Sequence, residues 1–261
     1  MKDLKPSLIG TGNVAAAAYT RNRVIGELGT KNDDFSYIVL QQIGGRKAIV
    51  GSFSAHSTVL SANNMQVSGD YPGYWSRKME KTFSDFALFC AGGVGSQSPT
   101  GADGEGFDKA RKIGEALADI VQQSASKTQM KDKVIFSAFT MKFNLPEYTM
   151  RTTNATSATT QRAQPSSESA VLQALRLNDM VWLSAPADFS GEIALQTKNY
   201  LYPKGFLANI TSFNGNYLGY IIPSKYYYYD NYESKTMGWY GPNMGDYTID
   251  LIRQMSDIVI R

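Results

Sequence analysis

Six apolar residues, Phe86-Ala-Leu-Phe-Cys-Ala91, run into Gly92-Gly-Val-Gly-Ser-Gln-Ser-Pro99 and then into an amphipathic stretch. There Phe107, Ala110, Ile113, Leu117, Ile120 and Val121 recur mostly at spacings of three and four, the stripe of a helix. A strand that enters a glycine-rich loop and leaves as a helix is the βα unit of α/β proteins. It constrains the fold strongly, because such a strand must join a sheet that a helix covers. The apolar run reads as a short buried strand, with Cys90 as a core residue.

The other patterns agree with that class. Ser36–Ile43, Gly44-Gly45 and Lys47–Ser54 read as strand, tight turn and returning strand. Residues 72–83 look helical, with Pro72 near the start. Val134–Leu145 is a strand candidate. Val171–Leu177, Asn178-Asp179 and Met180–Leu183 form a second hairpin. Ser190 is a candidate N-cap for a helix over about 190–201, and Phe206–Phe213 is a further strand. The last helix carries Tyr247, Leu251, Ile252, Met255 and Val259 on one face. Residues 1–35 read as irregular, and no internal repeat is visible. The polar stretch at about 151–168 lacks hydrophobic period and reads as a mobile surface loop. The expectation is one α/β domain spanning 1–261, with mixed β-sheets flanked by helices.

Composition narrows the function. The 261 residues are 43% hydrophobic and 19% charged, enough for a sizeable core. Basic residues number 26 against 23 acidic, a net charge of +3, and they are scattered. Nucleic acid and anionic membranes are therefore poor partners. No apolar stretch approaches the roughly 20 residues of a membrane span, and Met1-Lys-Asp-Leu-Lys-Pro6 has no signal-peptide core. With one cysteine, Cys90, an internal disulfide and a multi-cysteine metal site are excluded. The only histidine, His56, would have to serve any Ser–His–Asp triad, and Gly-x-Ser-x-Gly is absent. Gly92–Gly95 lacks the Gly-Lys-Ser/Thr of a phosphate loop. By residue counting alone, a solitary histidine is more often structural than a metal ligand.

His56 closes the second hairpin strand, in Ser52-Phe-Ser-Ala-His56, and is followed by Val67-Ser-Gly-Asp-Tyr-Pro-Gly73. Further along come Phe89-Cys-Ala-Gly-Gly-Val-Gly-Ser-Gln-Ser-Pro99, Gln173-Ala-Leu-Arg-Leu177, Ala185-Pro-Ala-Asp-Phe189, Tyr217-Leu-Gly-Tyr220 and Tyr232-Glu233; Asn22-Arg23 precedes them. Taken in order, these segments resemble the neutral/alkaline, non-lysosomal ceramidase family across nearly the whole chain. The resemblance implies a zinc-dependent amide hydrolase acting on N-acyl sphingosine or a related lipid amide, in a secreted or periplasmic setting. Carried over by position, His56, Asp188 and Tyr220 would be zinc ligands. Tyr232 would hydrogen-bond the developing oxyanion, Arg23 would sit at the substrate end, and Ser98 would line the site.

The departures are specific. The family's first-half His-x-His-Ser-Gly-Pro motif has no counterpart here. Asp188 stands where the family has Glu, and Ser96 where it has Asp. The chain therefore reads as the C-terminal portion of such a catalytic domain, completed by a second chain or a cleaved N-terminal half. The alternative is a degenerate relative that keeps the fold as a binding or structural protein.

Overall fold

The computed structural model describes residues 4–149, 151 and 168–261. The polar loop expected at about 151–168 lies, but for Arg151 and Glu168, outside them. The first half of the chain runs β1 (Ser7–Ala15), β2 (Thr20–Asn22), β3 (Asp34–Gln42), β4 (Lys47–Phe53), α1 (Asp70–Thr82), β5 (Phe86–Ala91), β6 (Gln97–Pro99) and α2 (Gly106–Ala125). The second runs β7 (Phe136–Asn144), β8 (Ser169–Leu177), β9 (Met180–Ser184), β10 (Asp188–Phe189), α3 (Gly191–Leu201), β11 (Leu207–Thr211), β12 (Tyr220–Ile221) and α4 (Met244–Ile260).

Two four-stranded sheets form, ordered β1-β3-β4-β5 and β11-β9-β8-β7. In each, three strands pair antiparallel, and the chain then crosses through a helix to add a parallel strand, β5 beside β4 and β11 beside β9. Alternation along the strands decides the layering. Phe35, Tyr37, Val39, Ile49 and Phe53 turn outward onto Trp75 and Met79 of α1 and Ile113, Leu117 and Val121 of α2. Leu172, Ala174, Val181, Leu183, Ala208 and Ile210 turn onto Ile193 and Leu201 of α3 and Ile252, Met255 and Val259 of α4. The inner faces meet through Ile9, Ile38 and Leu177, with Val50, Leu175 and Trp182 packed beside them. The result is four layers: helices, sheet, sheet, helices. The α/β reading is right, and no helix among the described residues is long and apolar enough to cross a membrane.

Three local expectations change. Residues 7–15 are a full strand, not irregular chain. Gly10 and Gly12 hid it from the sequence, since glycine weakens a strand pattern. Close packing requires Gly12, because a Cβ there would run into the Tyr37 hydroxyl. Second, β5 is an edge strand buried on one face only; Phe86 and Leu88 are exposed on the inner side, and Cys90 is partly buried, its thiol pKa raised by that burial. Third, the buried stripe of α4 runs through Thr248, Ile249, Ile252, Met255, Ser256 and Val259, leaving Tyr247 exposed and Leu251 half-buried. The hairpin turns are as read: Gly44 takes φ 67° and Asn178 φ 56°.

No repeat is visible in the sequence, yet the fold repeats. Each half is three antiparallel strands, a helix, a parallel strand and a second helix. His56 follows β4, and Asp188 follows β9, so they leave equivalent strands of the two halves.

Candidate active site

The site lies where the carboxyl ends of β4, β5, β9 and β11 deliver their loops, the usual place in α/β sheets. Its scaffold is the short run Gly95-Ser96-Gln97. Gly95 N–H donates to Phe189 O at 2.8 Å. A Cβ on Gly95 would stand 2.6 Å from Asp188 O, so only glycine allows this approach. Arg23 N–H donates to Ser96 O at 2.8 Å and His56 N–H to Gln97 O at 3.2 Å. Arg23 and His56 therefore both hang on this run. The Ser96 hydroxyl, where the family has Asp, accepts from Gly191 N–H at 3.0 Å and shares a hydrogen bond with Ser190 Oγ. Ser190 is the N-cap of α3, as expected, accepting from Glu192 N–H.

Gln97 is fully buried, and its side chain joins three segments. Its Nε2 lies 2.6 to 2.9 Å from Ser54 O, Thr20 Oγ1 and Asn32 O, and its Oε1 accepts from Asn32 N–H at 2.7 Å. Sequence reasoning missed this residue, because a glutamine carries no chemical signature until its burial is known.

In the second half, β10 and β12 pair in parallel with Asp188 opposite Tyr220. Facing residues of paired strands share a face, so carboxyl and phenol emerge side by side. The His56 ring meets them from the other sheet. Its Nε2 lies 3.2 Å from Asp188 Oδ1 and 3.2 Å from the Tyr220 hydroxyl. Arg23 completes the cluster: Nη2 donates to the Tyr220 hydroxyl at 3.1 Å, and Nε faces Glu233 Oε1 at 2.9 Å. Burial, then the Asp188 carboxylate, push the Tyr220 phenol pKa well above its ordinary value, against the opposing pull of Arg23. The phenol is therefore neutral at physiological pH in the ion-free cluster.

Three rings border this polar centre, all about half-exposed. Phe213 lies 6.4 Å from the His56 ring and stacks on Tyr217 at 6.2 Å. Tyr232 meets Tyr220 edge-on at 5.7 Å. It begins a single π-helical turn, Tyr232–Thr236, which also carries Glu233; such turns recur at functional sites. Burial, then Asp188 and Tyr232, push the Tyr217 phenol pKa above its ordinary value. Of the six residues singled out by sequence, the structure gathers His56, Asp188, Tyr220, Arg23 and Tyr232. Ser98 engages Arg21 instead, its hydroxyl accepting from Nε at 3.1 Å. Phe213 and Tyr217 were given no role, although Tyr217 stands in the segment that carries Tyr220.

The fold has solved counterparts. Neutral ceramidase from Pseudomonas aeruginosa matches 97% of this chain with a TM-score of 0.75 and 17% identity, and a structure described as ceramidase complexed with C2 matches 97% with a TM-score of 0.75 and 16% identity. The chain has the fold of the neutral ceramidases. It spans about half the length of those two ceramidase chains, 52% and 53%. No protein-family description and no curated protein matches the sequence.

The ceramidase-like fold raises the question of a metal. Among the described residues no group of three or more His, Cys, Asp or Glu side chains could hold one. The donor set His56, Asp188 and Tyr220 escapes that description because its third member is a phenol. Neighbouring ligand atoms around tetrahedral zinc, with bonds of 2.0–2.1 Å, lie about 3.3–3.4 Å apart. Here His56 Nε2 is 3.2 Å from both oxygens, and Asp188 Oδ1 is buried without a hydrogen-bond partner. The imidazole nitrogen thus lies from each oxygen at about the separation of two zinc ligands, and His56, Asp188 and Tyr220 supply donor types that zinc accepts.

Proposed function

We propose that this chain carries the catalytic centre of a zinc-dependent amide hydrolase of the ceramidase type, acting on a lipid amide such as an N-acyl sphingosine. One observation carries the reading: Asp188, His56, Tyr220 and Arg23 come from four separate segments and are linked in that order by contacts of 3.1–3.2 Å. His56, Asp188 and Tyr220 would hold the ion. Bound there, zinc would supply Lewis-acid polarisation of an amide carbonyl and a lowered pKa for water.

The chain's own residues have distinct tasks. Glu233 fixes the Arg23 guanidinium, which points its Nη2 at the Tyr220 oxygen and favours the phenolate there. Tyr232, exposed with its ring against Tyr220, would hydrogen-bond the oxyanion as it forms. Ser98 would act through Arg21, to which it is bonded, rather than at the reacting bond. The chain spans about half of the ceramidase chains, and we propose that an N-terminal half or a second chain supplies the remaining ligand and part of the substrate cleft.

The test is metal content together with spectroscopy. The full chain, incubated with zinc and desalted, should retain about one equivalent and show phenolate absorbance at neutral pH. His56→Ala should lose retention, and Tyr220→Phe should lose the phenolate signal. Hydrolysis of a fluorogenic N-acyl amide should fall more than about 100-fold in His56→Ala, beyond what outer-shell changes cost. Wild-type protein that retains no zinc, alone or mixed with the complementary half of a ceramidase, would sink the reading.

A further inference from the structure

We infer that Phe213 is a specificity residue: its ring, held beside the His56 imidazole by a strained backbone, forms with Tyr217 the wall that takes an unbranched apolar chain attached to the amide. The assignment rests on the amide-binding reading above.

Among the described residues three non-glycines have positive φ: Asp70 at 51°, Asn178 at 56° and Phe213 at 61°. Asp and Asn tolerate this region because their short polar side chains bond locally. Asn178 sits in a hairpin turn, and the Asp70 carboxylate accepts from Leu60 and Tyr71 N–H. Phenylalanine has no such compensation, and a bulky residue there is a genuine outlier.

The backbone around Phe213 is fixed from both halves of the chain. Ser212 N–H donates to Ala91 O, Ser212 Oγ to Gly92 O, Phe213 N–H to Ala187 O and Asn214 N–H to Ala185 O, at 2.6 to 3.1 Å. The turn would hold with glycine or asparagine at this position, and with less strain.

Core packing does not account for the ring, which is 45% exposed. It lies instead nearly parallel to Tyr217, with 28° between the planes, and Tyr217 is backed edge-on by the fully buried Trp239 at 5.6 Å. Two stacked rings on a rigid backing present an apolar surface one ring away from His56. Strain kept at such a place is expected where geometry serves binding. A chain of several methylenes can lie along this surface; an acetyl group is too short to reach across it.

The experiment uses the full chain with two probes, N-octanoylethanolamine and N-acetylethanolamine, with binding followed by NMR. Wild type should bind the octanoyl probe at least about tenfold tighter. Phe213→Gly and Phe213→Asn should lose most of that preference while melting within about 2 °C of wild type or higher, since each relieves the strain. Equal or undetectable binding of both probes by wild type overturns the assignment, as does a preference that survives both substitutions. A drop of more than about 5 °C in both variants would make Phe213 a packing residue and overturn it as well. If the preference follows Phe213 but neither amide is hydrolysed, the specificity role stands and the hydrolase reading fails separately.

Discussion

Lys198 takes a cation into the interior. Its Nζ lies 3.4 Å from Asp34 Oδ2 and the residue is almost fully buried. Burial lowers its pKa, and Asp34 and Asp33 oppose that only in part. The folded pKa is therefore below the unfolded value near 10.4. Between those two values the unfolded chain binds more protons, so stability rises with pH across that window, and the full cost is present below the folded value. Lys198→Met should accordingly stabilise the protein at pH 7 by about 1 kcal/mol, because the half-exposed Asp34 left behind is solvated. The gain should shrink toward pH 10. Thermal melts at both pH values decide it, and a destabilised variant at pH 7 would show that the ion pair is net favourable. At this scale the sequence was uneven. His56 was conspicuous as the only histidine, and Asp188 and Tyr220 stood out only through resemblance. Gln97 and Phe213 were silent, since their importance lies in burial and in a backbone angle.

The elements that make the site are its shortest. The two-residue ladder of β10 and β12 sets the carboxyl and phenol side by side, and the Gly95–Gln97 run joins them to the first half. Gly95→Ala would press a Cβ into the Asp188 backbone, which flexible side chains cannot relieve. We expect a loss of about 1–3 kcal/mol by overpacking, together with loss of zinc retention as β10 shifts. Gly241→Ala, where a Cβ meets nothing within 4 Å, is the control and should be neutral. Wild-type stability and retention in the Gly95→Ala protein would refute the close-approach argument. Long elements were legible because hydrophobic period accumulates over their length: β3, β4, α1, β8 and β9 lie within a residue or two of their expected bounds. The strand β1 was not, its pattern broken by Gly10 and Gly12. The ladders β10–β12 and β2–β6 were invisible because two or three residues carry no period.

Over the whole molecule, two halves of one topology stack sheet to sheet, and the site forms where equivalent connections meet. The sheets do not cover each other fully. Phe86, Leu88 and Leu40 remain exposed on the inner face of the first sheet, where a surface cavity of about 730 Å³ is lined in part by Leu40, Arg46, Lys47 and Phe86. Exposed apolar residues on an edge strand invite association. Phe86→Lys with Leu88→Lys should change stability by only about 0.5 kcal/mol per site, and should reduce self-association of the isolated chain measured by sedimentation. Self-association that is unchanged would rule this face out as the contact. The residue patterns by themselves determined the class of fold, the hairpins and the four long helices, because each depends on neighbours a few positions away. Only the tertiary structure decided the repeat, the Gln97 junction and the meeting of His56 with Asp188 and Tyr220. Those depend on contacts between residues far apart in the chain, and no local periodicity encodes them.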